Sequence, residues 1–141
     1  MKHILAGAIG ALAMGGCVSA DGVETPPQVE PAGAASTNLV IIYGLKDGVS
    51  PADFEAWVRE TDYPSLRGLT RVRAFRTHRA ERLLAGTGAG EPSIEYIETF
   101  SIPDLDGFVS GDMGGGTVQT IMGQFMGFAE APEFIVVEEI N

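Results

Sequence analysis

The chain has 141 residues, with 9 Lys and Arg against 19 Asp and Glu, and a formal net charge of −10. That length leaves room for one domain, and the negative balance repels phosphate, which excludes a general nucleic-acid binder. One Cys cannot build a disulfide framework, and one Cys with two His cannot supply the four ligands of a structural zinc site, so no metal site is expected.

Residues 1–20 read as an export signal. Lys2 and His3 give a small positive start, and residues 4–14 form an apolar run too short to span a bilayer but of the right length for a signal core. The run ends in Met14, Gly15, Gly16 and Cys17, which resembles the bacterial lipobox, where cleavage before the Cys leaves it lipidated as the new N-terminus. Val18, Ser19 and Ala20 offer an ordinary secretory cut as the alternative. The chain is therefore expected in the bacterial cell envelope as a periplasm-facing lipoprotein, touching the membrane only through Cys17, or else as a soluble secreted protein. Residues 21–37, with three Pro and two isolated Val, cannot bury enough surface to order themselves and read as a flexible linker. The folded domain is then residues 38–141.

Within it the pattern reads strand, helix, strand, strand, helix, strand. Residues 39–43 are a run of β-formers closed by Gly44 and Asp47-Gly48. Ser50 caps the following helix, Pro51 opens it, and Phe54, Trp57 and Val58 share its apolar face. Pro64 should end it near Asp62, although a further turn over residues 65–69 is an alternative. Residues 72–79 form the second strand and residues 94–102 the third, separated by the Gly-rich stretch from Gly86. A short helical turn over 104–109 precedes a glycine loop at 111–116, a candidate lid. Thr117 then caps a second main helix whose stripe is Val118, Ile121, Met122, Phe125 and Met126. The last strand covers residues 134–137, extending towards Ile140. Two such halves with antiparallel pairing give a ferredoxin-like βαββαβ sandwich of the α+β class, with helices on one face of a four-stranded sheet.

Two helices cover only one face of that sheet, yet the first and last strands are apolar at both parities: Leu39, Ile41 and Tyr43 with Val40 and Ile42, then Phe134 and Val136 with Ile135 and Val137. A solvated face should alternate with polar residues. An identical sheet is the simplest cover, which predicts a homodimer closed sheet to sheet into an α/β barrel.

The stretch DFEAWVRETDYPSLRGLTRVRAFRTHR at residues 53–79, SIEYIETF at 93–100 and TVQTIMGQFMGFAEAPEF at 117–134 together resemble the RedY-like (HapK) family of the dimeric α/β-barrel superfamily. That resemblance implies the same fold and a place in secondary metabolism. Its members are associated with prodigiosin-type pyrrole pigments and bisindoles, acting on reactive aromatic intermediates without an evident redox cofactor. The implied activity is cofactor-independent acid/base chemistry, a cyclisation, isomerisation or oxygenation of a small aromatic or polyketide-like metabolite. A non-catalytic envelope lipoprotein that binds a small hydrophobic ligand, or serves as a dimeric interaction module, is the competing class.

Seven of the nine basic residues lie between Arg59 and Arg82, and His78 is the one His beyond the leader. Arg76 and His78 share one face of the second strand, and hairpin pairing with the third would set Glu98 and Tyr96 opposite or diagonal to them. A His oriented by a carboxylate, beside an Arg that stabilises a developing anion, is a workable acid/base site, so His78, Glu98 and Arg76 are the candidate catalytic trio. Asp62 and Tyr63 at a helix end could line a pocket mouth, and Tyr96 and Trp57 could hold an aromatic substrate, with core the readier reading of Trp57.

Overall fold

In the computed structural model, residues 36–140 are described. The expected leader with Cys17 and the linker as far as residue 35 lie outside them. The sheet has the order β2-β3-β1-β4, formed by β1 (Leu39–Leu45), β2 (Ala74–Arg79), β3 (Tyr96–Ser101) and β4 (Ala129–Val136), with every neighbouring pair antiparallel. This is the ferredoxin-like α+β arrangement. Its helices are α1 (Pro51–Trp57), α2 (Tyr63–Arg67), α3 (Leu105–Ser110) and α4 (Gly116–Phe128).

Inward parity is carried by Ile41 and Tyr43 on β1, Phe75 on β2, and Tyr96, Glu98 and Phe100 on β3, all buried. Against them pack Phe54, Val58 and Leu66 from the first helical layer and Val118, Ile121 and Phe125 from α4. Aromatic rings fill the middle: Tyr43 stacks on Tyr96 at 5.8 Å between centroids and meets Phe125 edge-on at 4.9 Å.

Three elements differ from expectation. The first helix does not stop near Asp62. It widens into a π-helical turn over Val58–Asp62, in which the Tyr63 N–H donates to the Val58 carbonyl, and then continues as α2. Pro64 has no N–H and its ring crowds the carbonyl four residues back, so the wider turn carries the chain past it without breaking the helix. Second, β4 begins at Ala129, well before residue 134. Pro132 sits on an edge strand, beside the irregularity where the register shifts between Ile42 and Gly44 and where Ala131 takes φ +43°, so its missing N–H interrupts no inner ladder. Third, α4 starts at Gly116 with Gly115 as its cap, and Thr117 makes no capping bond. The Ser50 cap is present, its hydroxyl accepting from the Asp53 N–H at 3.4 Å.

Candidate active site

The register of β2 on β3 decides which side chains meet. Thr77 lies opposite Glu98, while His78 lies opposite Ile97 and Arg76 opposite Thr99. Successive residues of a strand point to opposite faces. Glu98 therefore faces the helices, and Arg76 and His78 point through the other side of the sheet and are exposed. The expected His78–Glu98–Arg76 grouping is not formed: the hairpin pairs one residue out of the step that would have united them.

Glu98 opens instead onto a cavity of about 240 Å³. Its walls come from the inward residues of β1, β3 and β4, from α3 (Leu105, Phe108, Val109), and from α4 (Val118, Ile121, Met122, Phe125). Of the residues lining it, Asp62 and Glu98 alone are polar. Asp62 reaches this wall because Phe54, Val58, Asp62 and Leu66, all buried, follow one another at intervals of four, a spacing that the π-helical turn keeps on a single face. Asp62 is 2% exposed and Glu98 3%.

Their surroundings are unequal. Glu98 Oε1 accepts from the Tyr43 hydroxyl at 2.7 Å and has the Thr77 hydroxyl at 3.5 Å, the outer limit of a hydrogen bond. Burial, helped by the nearby Asp62 charge, pushes Glu98 up to about 8 against the pull of those two donors. Burial also raises Asp62 to about 7, and Arg67 opposes the rise. That guanidinium is otherwise engaged: it lies 3.5 Å over the Tyr63 ring and donates to the Phe75 carbonyl at 2.8 and 3.1 Å. Asp62 Oδ2 is buried with no hydrogen-bond partner among the described residues. Tyr43, buried beside both acids, has its hydroxyl pushed far above the usual tyrosine range by burial and by Glu98, so it stays protonated and keeps its hydrogen for Glu98.

Of the other candidates, Tyr63 and Tyr96 line a separate, polar cleft of about 380 Å³ on the far side of Thr77, together with His78, Arg79 and Glu55. Tyr63 Oη accepts the Thr77 N–H at 2.9 Å, and the Tyr96 hydroxyl donates to Glu55 at 3.1 Å. Trp57 belongs to neither space. It stacks on Phe54 and Phe128 and donates to Gln124 at 2.6 Å. Tyr43 and Thr77 escaped the sequence reading. The alternation of Ile41, Tyr43 and of Phe75, Thr77 carried the signal for both, but which parity faces the helices depends on register. Among the described residues no three His, Cys, Asp or Glu are grouped to hold a metal ion.

An α+β domain with an apolar chamber floored by two buried acids is the class of protein defined here. Residues 37–140 match the family described as REDY-like protein HapK, and the chain belongs to it. Among solved structures it is similar to HapK from Hahella chejuensis, with 29% identity over 73% of this chain and 92% of that one and a TM-score of 0.58. It shares its fold with an EthD family protein of Bacillus halodurans (17% identity, 74% and 98% covered, TM-score 0.56). It also shares it with a dimeric ferredoxin-like protein of Thermobifida fusca (11% identity, 70% and 86% covered, TM-score 0.51). A search of curated proteins finds no match.

Proposed function

We propose that this domain binds a small, largely apolar ring compound in the cavity and carries out cofactor-independent acid/base chemistry on it, with Glu98 as the proton-transferring group. The observation that carries the reading is a chamber whose polar lining is confined to Asp62 and Glu98. A dry wall selects an apolar body. A chamber of about 150 Å³ suffices for benzene, so 240 Å³ suits a molecule of one or two rings. A carboxyl held near 8 at neutral pH is poised both to take a proton from carbon and to return it. Tyr43, fixed as a donor on Glu98 Oε1, orients the acid.

The same reading makes the domain a homodimer. Val40, Ile42, Ile97 and Ile135 lie on the sheet face opposite the helices, which no helix of the described residues covers, and one protein of the same fold is described as dimeric. It also places the protein at the cell envelope, exported by the N-terminal apolar run and anchored through Cys17.

The test is exchange of the activated C–H protons of 2-tetralone, a neutral two-ring carbon acid, followed by NMR in D2O. A carboxylate oxygen removes the proton to give the enolate, and a solvent-derived deuteron returns to the same carbon. Exchange faster than in buffer, lost in Glu98→Gln and kept in His78→Ala, is the expected result. No acceleration by the unmodified protein would refute acid/base catalysis, and loss in His78→Ala with retention in Glu98→Gln would return the chemistry to the outer face.

A further inference from the structure

The two acids on the cavity floor are not equivalent, and the difference specifies a ligand. Glu98 has the Tyr43 hydroxyl as a donor at 2.7 Å, whereas Asp62 Oδ2 has none. Burying a carboxyl oxygen without a partner is expensive, and such groups in a native fold call for an explanation. None of the residues lining the cavity carries a positive charge or a hydrogen-bond donor other than the two carboxyl groups themselves. The groups that face the acids from the surrounding elements are Tyr43 from β1, Thr77 from β2, and Arg67 from α2. The α4 wall contributes only apolar side chains. Arg67 is committed to the Phe75 carbonyl and the Tyr63 ring.

We infer that the cavity takes an organic cation, an apolar ring body carrying a protonated amine, whose N–H bonds to the Asp62 carboxyl group while Glu98 is left to act on a neighbouring C–H. This deepens the function proposed above and rests on it. The ligand supplies the missing donor and the missing positive charge together, and a charge-assisted bond of this kind in a dry site is stronger than a neutral one. Where either acid is ionised, towards pH 8, a carboxylate-bearing ligand is rejected by like-charge repulsion with no lining cation to offset it. Asp62 is then the specificity-determining residue and Glu98 the catalytic one.

Binding is coupled to protonation with a definite sign. Both acids sit above their usual values in the free protein, and a bound ammonium favours their ionised forms, so binding releases protons and affinity rises with pH. The rise should run from pH 6 to about 8 and level off once the free acids are themselves ionised.

Three probes of one shape separate the alternatives: 2-phenylethylamine, the neutral 2-phenylethanol and the anionic 3-phenylpropanoate, each titrated by NMR into the full chain at pH 6, 7 and 8. The amine should bind about tenfold or more tighter than the alcohol at pH 8, with the propanoate weakest, and this preference should shrink at pH 6. Asp62→Asn should erase the preference while the alcohol still binds. The wild-type series alone decides the matter if the Asn variant fails to fold. Equal or tighter binding of the alcohol or the propanoate, or an amine affinity that falls from pH 6 to 8, would overturn the inference while leaving the cavity as a ligand site. Failure of all three probes to bind would remove the ligand-binding reading itself and this inference with it.

Discussion

Replacing Glu98 by Gln should leave the protein no less stable in mild acid and distinctly more stable in mild alkali. In the folded state the Glu98 carboxyl is raised from 4.5 to about 8, and in the unfolded chain it returns to its ordinary value. A raised acid is fully compatible with folding below its unfolded pKa and destabilises the fold as pH climbs from about 4.5 to about 8, because the unfolded state then sheds a proton that the native state keeps. Each pH unit in that window is worth about 1.4 kcal/mol, so the full swing attributable to this buried side chain is of order 5 kcal/mol. Asp62, raised by burial to about 7, acts in the same direction, and because the two acids are close their effects do not simply add. The glutamine amide keeps an oxygen for the Tyr43 hydroxyl to donate to and removes the titration. Urea unfolding of both proteins at pH 5, 7 and 9, at one fixed protein concentration, measures the difference. The wild type should lose several kcal/mol between pH 5 and 9, and the variant should lose much less, so that its advantage grows from pH 5 to pH 9. Parallel pH profiles, or a wild type that gains stability towards pH 9, would refute the assignment of Glu98 as an acid held neutral by burial.

Three further outcomes follow from the same geometry, and a fourth from the sequence of the leader. Ile121→Trp, which fills the cavity from α4, should abolish binding of aromatic probes at a stability cost of about 1–3 kcal/mol, read by NMR titration and urea unfolding. Arg71 ties the start of α3 to the turn after it, bonding Asp104 and Asp112 at 2.9 Å each, and Arg71→Gln should speed hydrogen exchange of the amides of residues 105–114 severalfold while leaving the sheet unchanged. Ile42→Glu on the outer sheet face should convert a sedimenting dimer to a monomer at micromolar concentration, and a wild type that is already monomeric there would rule out the sheet-to-sheet barrel. Metabolic labelling with a fatty-acid analogue should mark the wild type and not Cys17→Ser, and label retained in the variant would remove Cys17 as the anchor.

The fold was largely legible because its signals are local. The β-formers at residues 39–43, the Ser50-Pro51 helix start and the alternation through Tyr96, Glu98 and Phe100 each state an element and its period within a few residues. The site was half legible. The sequence names Glu98 for the site but with partners from the wrong face of β2, and Asp62 for a pocket mouth at a helix end, not for the buried stripe it occupies. What the sequence could not state was a register: whether Glu98 is opposite Thr77 or His78 is a shift of one residue across a long glycine-rich connection, and that shift exchanges one face of β2 for the other. His78 and Arg76 drew the chemistry to themselves because they are the residue types most used for it, while Tyr43, in the middle of an apolar run, read only as core. Pro64 misleads the reading of the first helix, and the start of β4 around Pro132 goes unread. A π-helical turn and an edge-strand irregularity both absorb the missing N–H, and neither has a residue signature as plain as the proline itself.

The position of Asp62 separates what the fold needs from what it is for. Phe54, Val58 and Leu66 would make an unbroken apolar stripe with any aliphatic side chain at the fourth place, and burying an acid there lowers stability. Among the described residues the carboxyl forms no cap and serves no ion pair, and its Oδ2 has no donor. Folding alone gives no reason for an acid at a place where Leu would pack better. The same holds for Glu98, an acid set between Tyr96 and Phe100 on the buried side of a strand. Two such departures on separate elements, one on a helix widened at that turn and one on the inner strand β3, converge on a single chamber that is otherwise hydrocarbon. Independent errors of packing would not meet at one wall. The proton transfer proposed above gives a reason for that convergence, since burial, together with the charge of a second acid, is what brings the charged and neutral forms of a carboxyl near balance around pH 7.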